Sequence, residues 1–234
     1  MLSKGNHKLG EDGLIWTFSI PAIHTCPGST SVCQRLCYAN HGHYWWPSVQ
    51  DALWRNFRAS KLPGFAGAMV QLIRRHRARV VRVHVAGDFY DAGYTAKWYE
   101  IMAMCPKTTF YAYTRSWRLP ALRAVLEDLA TLDNLQLWWS ADAEAAPNQV
   151  PPRVRVAYLS AHDEPPVGHA DLVFRADENG IVKRLGGALV CPVENGITET
   201  TCAQCRQCFT DPDAKLANTQ RVSLPTVSAL PVAC

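Results

Sequence analysis

Short apolar runs alternate with longer amphipathic segments along most of the chain. The runs are rich in β-branched and aromatic residues and are bounded by Gly, Pro, Asp or Asn, which predicts buried strands at 14–20, 80–86, 109–114, 135–140, 154–160 and 170–175. Segments with helical periodicity predict helices at 49–61, 65–77, 92–104 and 119–129. Strand and helix therefore alternate through the middle of the chain.

This alternation is typical of parallel strands joined by crossover helices, because a parallel pair needs a connection long enough to return to the same end of the sheet. The predicted fold class is α/β, as a partial or complete β/α barrel of the TIM type. Residues 1–190 are predicted to form this barrel-like domain, which includes an N-terminal cysteine loop. Residues 191–234 are predicted to be a cysteine-rich C-terminal extension packed on the barrel.

Polar residues directly follow several of the predicted strands. The segment 26–37 follows the first strand, Gly87 and Asp88 follow the second, Arg115 follows the third and Asp142 follows the fourth. In parallel α/β folds the loops that leave the carboxyl ends of the strands form the active face. We therefore expect these residues to converge.

The composition favours an intracellular protein in which clustered cysteines bind metal. The chain has 234 residues, 48% of them hydrophobic and 19% charged, which suits one compact domain with a sizeable core. It has no apolar stretch of the roughly 20 residues that span a membrane, so we expect a cytoplasmic protein without a membrane partner. Thiols stay reduced in that compartment, so disulfides are a poor explanation of the nine cysteines.

The first cysteine group consists of Cys26, Cys33 and Cys37 in one predicted loop. Thiolates are soft ligands that suit zinc or iron–sulfur centres. Three of them around a four-iron cluster leave the fourth position to another ligand. This loop is therefore predicted to bind metal.

The second group consists of Cys191, Cys202, Cys205 and Cys208. Its C-x2-C-x2-C run fits a [4Fe–4S] cluster better than zinc, whose sites use C-x2-C pairs separated by a longer loop. Spacing leaves three arrangements open: Cys191 completes the C-terminal site, it joins the N-terminal loop, or the two groups share a single centre with spare cysteines. Cys105 is expected to be a small buried residue and Cys234 to have no ligand role.

Basic and aromatic residues allow a nucleic-acid partner. The formal net charge is +4, and the densest basic run contains Arg74, Arg75, Arg77, Arg79 and Arg82. Such a run binds phosphate or is a solvated helix end. The pairs Trp45-Trp46 and Trp138-Trp139 offer stacking surfaces or are packed in the core.

Several short motifs resemble an uncharacterised, cysteine-rich protein family encoded by actinobacteriophages. The motifs are Lys8-Leu9-Gly10, the Pro-Ala-x-x-x-Cys-Pro-Gly of residues 21–28, Cys37-Tyr38-Ala39, Ala86-Gly87-Asp88-Phe89, Tyr113-Thr114-Arg115-Ser116, and Cys191-Pro192 with the closing Cys202, Cys205 and Cys208. The resemblance implies a phage-encoded protein in the host cytoplasm, and it implies no activity.

The layout also has a distant likeness to radical S-adenosylmethionine enzymes. Those enzymes are partial β/α barrels with three cluster cysteines after the first strand and Gly-Gly-Glu after the second. The likeness implies an open iron that binds the amine and carboxylate of S-adenosylmethionine, with Gly87 and Asp88 in the cofactor-binding place. Here C-x6-C-x3-C replaces C-x3-C-x2-C, and Ala86-Gly87-Asp88 replaces Gly-Gly-Glu.

Three functions follow from these observations. In an enzyme with an open cluster, Asp88 would be the amine partner or base, Arg115 a carboxylate or phosphate clamp, and Asp142 part of the pocket. The alternatives are an electron-transfer or redox-sensing iron–sulfur protein, and a zinc-stabilised nucleic-acid-binding protein. A purely structural reading of the same residues has Asp88 capping the helix that starts near Ala92 and pairing with Arg115.

Overall fold

A computed structural model describes residues 1–10, 13–176, 180–194 and 200–210. Cys234 and the rest of 211–234 in the predicted extension lie outside the described residues. Within these ranges the chain forms one sheet of nine strands. The strands are β1 (Ser3–Lys4), β2 (Ile15–Phe18), β3 (Val80–Val83), β4 (Thr109–Thr114), β5 (Leu135–Ala141), β6 (Arg155–Ser160), β7 (Leu172–Arg175), β8 (Arg184–Leu185) and β9 (Ala188–Val190).

The helices of the described part are α1 (Ser31–Arg35), α2 (Pro47–Lys61), α3 (Phe65–His76), α4 (Ala92–Ala103), α5 (Pro120–Leu129) and α6 (Cys202–Cys205). All ten predicted elements are present, with ends that differ by a few residues. None of these helices is long and apolar enough to cross a membrane.

The sheet is open and mostly parallel. Its order is β1-β2-β3-β4-β5-β6-β7-β9-β8. From β2 to β7, each strand therefore lies beside the one before it in the chain, and the sheet grows from one edge towards the other. The two-residue strands β1 and β8 pair antiparallel with β2 and β9 and form the two edges. The fold is therefore mixed α/β, and the complete barrel that we allowed for is not what the structure shows, because the edge strands end the sheet instead of joining it into a ring.

The two faces of the sheet have different covers. Alternate strand residues, among them Phe18, Val81 and Phe110, pack against α3, α4 and α5 in the main core. The residues between them, among them Val80 and Tyr111, face a second core that includes Ala203 of α6. Because side chains alternate along a strand, two-sided burial explains the continuous apolar runs in the sequence.

His84 ends β3 inside an aromatic part of the main core. Its backbone φ is +64°, which breaks the strand pairing three residues before the predicted end. Its ring lies edge-on to Phe89, 4.7 Å between centroids, and its Nε2 is 2.8 Å from the Tyr94 hydroxyl. Burial lowers the pKa of His84 to about 3, so the imidazole stays neutral.

We expect this neutral histidine to make the protein less stable in acid. Between pH 6.5 and about 3 the unfolded chain binds a proton at His84 that the folded chain does not, so stability falls as pH drops through 6.5. From pH 7 to pH 5 the loss attributable to His84 is about 2 kcal/mol. Denaturant unfolding at both pH values checks this.

The substitution His84→Gln should reduce that loss by most of its size, while His7→Gln, at an exposed position, should leave it as in the wild type. An equally steep loss in His84→Gln would show that the acid sensitivity has another source.

Candidate functional site

The N-terminal cysteine loop lies directly on the turn that follows β4. The Arg118 guanidinium donates to the Gly28 carbonyl at 2.8 Å. A Cβ atom added to Gly28 would be 2.1 Å from the Arg115 carbonyl oxygen and 2.9 Å from the Ser116 Cα, so the loop backbone touches the turn without room for a side chain. This contact brings the cysteines to the carboxyl ends of the strands, as predicted.

The three N-terminal cysteines converge. Burial and then the nearby Asp88 charge raise the pKa of Cys26, and Cys33 and Cys37 each add to the increase because their thiols are close. The pKa of Cys37 is likewise raised by burial, with Cys33 again contributing. No disulfide joins any cysteine in the part of the chain that the structure describes.

Asp142 positions Cys33 through one threonine. The Thr30 hydroxyl donates to the Asp142 carboxylate. The hydroxyl oxygen of Thr30, the N-cap residue of α1, also accepts the Cys33 backbone N–H at 3.0 Å. Asp142 follows β5, so its carboxylate links the end of that strand to the cysteine loop. Asp142 therefore positions Cys33, and its part in a pocket stays a prediction.

Arg115 forms a buried ion pair with Asp142. The Nη1 to Oδ2 distance is 2.7 Å, and the two side chains are 7% and 0% exposed. A second guanidinium nitrogen donates to the Ala141 carbonyl at 3.2 Å. Burial raises the pKa of Cys33, whereas the charge and hydrogen bond of Arg115 act to lower it, so the guanidinium lies against that thiol.

Asp88 is buried beside Cys26 and is held by backbone groups. Its carboxylate accepts the Phe89 N–H at 2.7 Å and the Arg115 N–H at 2.8 Å. Burial raises its pKa to about 6, against these hydrogen bonds. The structural reading of Asp88 is wrong on both counts: Asp91 caps α4 by accepting the Tyr94 N–H at 2.6 Å, and the ion-pair partner of Arg115 is Asp142.

The four C-terminal cysteines line one cavity. It is small, with a volume of about 10 Å³, and its lining includes Cys191, Cys202, Cys205 and Cys208. Burial raises the pKa of Cys191 to about 12, with Cys208 contributing, and that of Cys208 to about 11. The structure places Cys191 with the C-terminal group, and so it brings the seven cysteines together as a set of three and a set of four.

The motif Lys8-Leu9-Gly10 holds the C-terminal group in place. The carbonyls of Lys8 and Leu9 each accept a backbone N–H from the start of α6, from Cys202 and Ala203, both at 3.0 Å. On the opposite side of the segment, the Trp138 indole donates to the Cys208 carbonyl at 2.9 Å. Sequence reasoning missed these supports, although the first of them belongs to a motif that had been noted.

The described residues contain no set of three or more His, Cys, Asp or Glu side chains arranged to bind a single metal ion. Ligands of one zinc ion lie about 2.0–2.3 Å from it. In an iron–sulfur cluster, iron and sulfide separate the thiolates, so a cluster needs its cysteines further apart. The fit to a cluster therefore rests on the donor set, which in both groups is made of converging cysteines.

The residues that we assigned to nucleic acid separate in the structure. Trp138 and Trp139 are fully buried on opposite faces of the sheet, so the stacking role is wrong for this pair. Trp45 and Trp46 are 68% and 63% exposed. In the basic run, Arg82 is half-buried on the inner face of the sheet, which is the face that α6 covers. The others are exposed: Arg74, Arg75, Arg77 and Arg79.

Comparison with known proteins confirms the resemblance to a phage family. The model of the family described as Gene product 88 matches residues 1–211, a range that includes both cysteine groups. The chain belongs to the Gene product 88 family. Its similar relatives include the Gene 88 protein of Mycobacterium phage L5, 25% identical over 79% of this chain and 77% of that protein. Another is the Gene 88 protein of Mycobacterium phage D29, 26% identical over 51% of this chain and 53% of that protein. No solved structure matches the chain significantly.

Proposed function

We propose that this member of the Gene product 88 family is an iron–sulfur enzyme with two centres. Cys26, Cys33 and Cys37 hold an open, reactive cluster, and the C-terminal four cysteines hold a closed one. The observation that carries the proposal is the division of the seven cysteines into a group of three at the carboxyl ends of the strands and a group of four around one cavity.

The electrostatics of both groups favour a metal. Burial raises the pKa of six of the seven thiols, so without a cation those groups are neutral at pH 7. A metal ion reverses this effect, because a coordinating thiol is deprotonated outright.

The residues beside the open group suit a ligand with charged ends. Arg115 lies against Cys33 and can offer its guanidinium to a carboxylate, while Asp142 fixes its orientation. Asp88, close to Cys26, can accept an amine. S-adenosylmethionine has both groups, and a reduced cluster held by Cys26, Cys33 and Cys37 would supply the electron for cleavage of its carbon–sulfur bond, with a hydrogen atom drawn from the substrate or solvent completing 5′-deoxyadenosine.

Electron transfer without organic chemistry is the second candidate. The four-cysteine centre favours it, because four thiolates leave no position for a substrate. In that case the N-terminal group would be a second electron-carrying centre, and Asp88 and Arg115 would serve only to position its cysteines.

Iron and sulfide content tests the two centres. Anaerobically reconstituted wild-type protein should contain about eight iron and eight sulfide per chain, as two [4Fe–4S] clusters. Replacing Cys26, Cys33 and Cys37 together by serine should leave about four of each, and so should the replacement of Cys202, Cys205 and Cys208.

Two single variants make this test sharper. Cys191→Ser should affect only the centre that depends on Cys202, and Cys105→Ser, at a buried cysteine outside both groups, should change nothing. Stoichiometric zinc without sulfide in the wild type would reject the iron–sulfur proposal.

S-adenosylmethionine then separates the enzyme from the carrier. With dithionite as the electron source, we expect the wild type to release 5′-deoxyadenosine and the variant with serines at 26, 33 and 37 to release none. Full cluster content with no binding of S-adenosylmethionine would favour the electron carrier.

A further inference from the structure

Arg82 lies on the inner face of the sheet, against the C-terminal cysteine segment. It stands on β3, and its guanidinium carbon is 5.6 Å from the centre of the Tyr113 ring. Its Nη2 is 3.4 Å from the Tyr38 hydroxyl, and Tyr38 follows Cys37 in the chain. Tyr113 in turn packs with Cys208 in the core on this face. The half-buried Arg82 side chain thus lies among aromatic rings that pack with the C-terminal cysteines.

No carboxylate among the described residues forms an ion pair with this guanidinium, although six other ion pairs are present there. Its buried Nε has no hydrogen-bond partner within the same residues. The side chain as a whole is half-buried. A cation that is partly removed from water is destabilising unless an anion compensates it. Arg115, by contrast, has its carboxylate in Asp142.

The groups near Arg82 that can become anionic include tyrosines and C-terminal cysteines. The carboxylate of Glu194, which acts on Tyr38 and Cys202, is itself paired with Lys8.

Arg82 lies opposite Tyr111 in the pairing of β3 with β4. Tyr111 packs in the core that contains Cys202 and Cys208, so the guanidinium is on the same side of the sheet as those sulfurs. A tyrosine stays protonated at pH 7. The compensating charge therefore belongs on the cysteine sulfurs.

We propose that Arg82 is the counter-charge of the C-terminal centre, whose occupant is an anionic, cysteinate-ligated cluster. This inference rests on the proposed function. Four thiolates outweigh the positive charge of a four-iron core, and one-electron reduction adds another negative charge without making or breaking a bond. A fixed cation beside the sulfurs stabilises the reduced form more than the oxidised form and so raises the reduction potential.

A redox titration of the C-terminal centre tests this role. The full chain is reconstituted with serine at 26, 33 and 37, so that only the C-terminal centre is present, and its reduction is followed by electron paramagnetic resonance with mediators and dithionite. Arg82→Gln removes the charge and keeps a polar group near Tyr38, whereas Arg82→Lys keeps the charge. We expect Arg82→Gln to lower the midpoint potential by about 59 mV or more, a tenfold change in the one-electron equilibrium constant. Arg82→Lys should stay close to the parent.

The outcomes separate the two proposals. An unchanged potential in Arg82→Gln with full iron and sulfide content overturns the role of Arg82 and leaves the iron–sulfur function standing. A parent protein that takes up no iron and sulfide overturns both. If Arg82→Gln fails to fold, Arg82→Met, an apolar replacement of similar length, is titrated in its place, with circular dichroism to verify its fold.

Discussion

Asp142→Ala is expected to lower the free energy of unfolding by about 3–5 kcal/mol. The carboxylate is fully buried against Arg115, so its removal leaves a guanidinium charge without its partner inside the protein. The substitution also removes the acceptor of the Thr30 hydroxyl, which caps the helix that contains Cys33. Urea unfolding of the apoprotein measures the change.

Asp133→Ala is the matched control, because Asp133 also pairs with an arginine but is 96% exposed. Surface pairs of this kind contribute about 0–1 kcal/mol, so the control should unfold almost like the wild type. Equal, small effects of the two substitutions would mean that the Arg115–Asp142 pair does not hold this site together. Reconstituted Asp142→Ala that still folds should bind iron less well at the N-terminal group than at the C-terminal one.

Gly87→Ala is expected to destabilise the protein by about 3 kcal/mol or more, from backbone strain together with overpacking. Gly87 has a φ of +85°, which L-residues rarely adopt. A Cβ atom there would be 2.4 Å from the Ile20 Cγ1, 2.9 Å from the Ile20 carbonyl oxygen and 2.7 Å from the Thr25 hydroxyl. Thr25 directly precedes Cys26, so the relief of this clash must move the cysteine loop.

Gly67→Ala is the control for this glycine. Gly67 is an exposed residue of α3 with open space where its Cβ would be, and alanine there should stabilise the helix by about 0.5–1 kcal/mol. Thermal unfolding of both variants, with iron content of whatever remains folded, measures the two effects. Wild-type stability of Gly87→Ala would show that the close contact between Gly87 and Ile20 does not contribute to the stability of the protein.

The elements of the fold were predictable because their signals are local. The run Thr109–Thr114 is a strand with the predicted bounds, and the first predicted helix begins two residues earlier, at Pro47. The bounds failed where a single backbone angle decided them: His84 ends β3 at a positive φ, which an apolar sequence pattern does not show. The sequence also did not show that the sheet stays open, because the two-residue edge strands are too short to have a recognisable apolar pattern.

The candidate site was predictable as a set of residues and not as a set of contacts. The rule that strand ends converge selected Cys26, Asp88, Arg115 and Asp142 correctly as neighbours. It did not tell which carboxylate pairs with Arg115, because that choice depends on where each side chain points after a turn. In the turn after β4, the Arg115 backbone N–H donates to the Asp88 carboxylate, while the Arg115 side chain forms its ion pair with Asp142.

The amino-acid sequence by itself determined the alternation of strand and helix, the two-sided burial of the strands and the two groups of cysteines, because these follow from residue periodicity and spacing. Only the tertiary structure decided that Cys191 joins the C-terminal group and that residues 200–210 cover the inner face of the sheet. It also decided that Arg82 lies half-buried on that face with no carboxylate partner among the described residues. These are relations between segments far apart in the chain. They depend on how the sheet twists and packs, which spacing along the chain does not record.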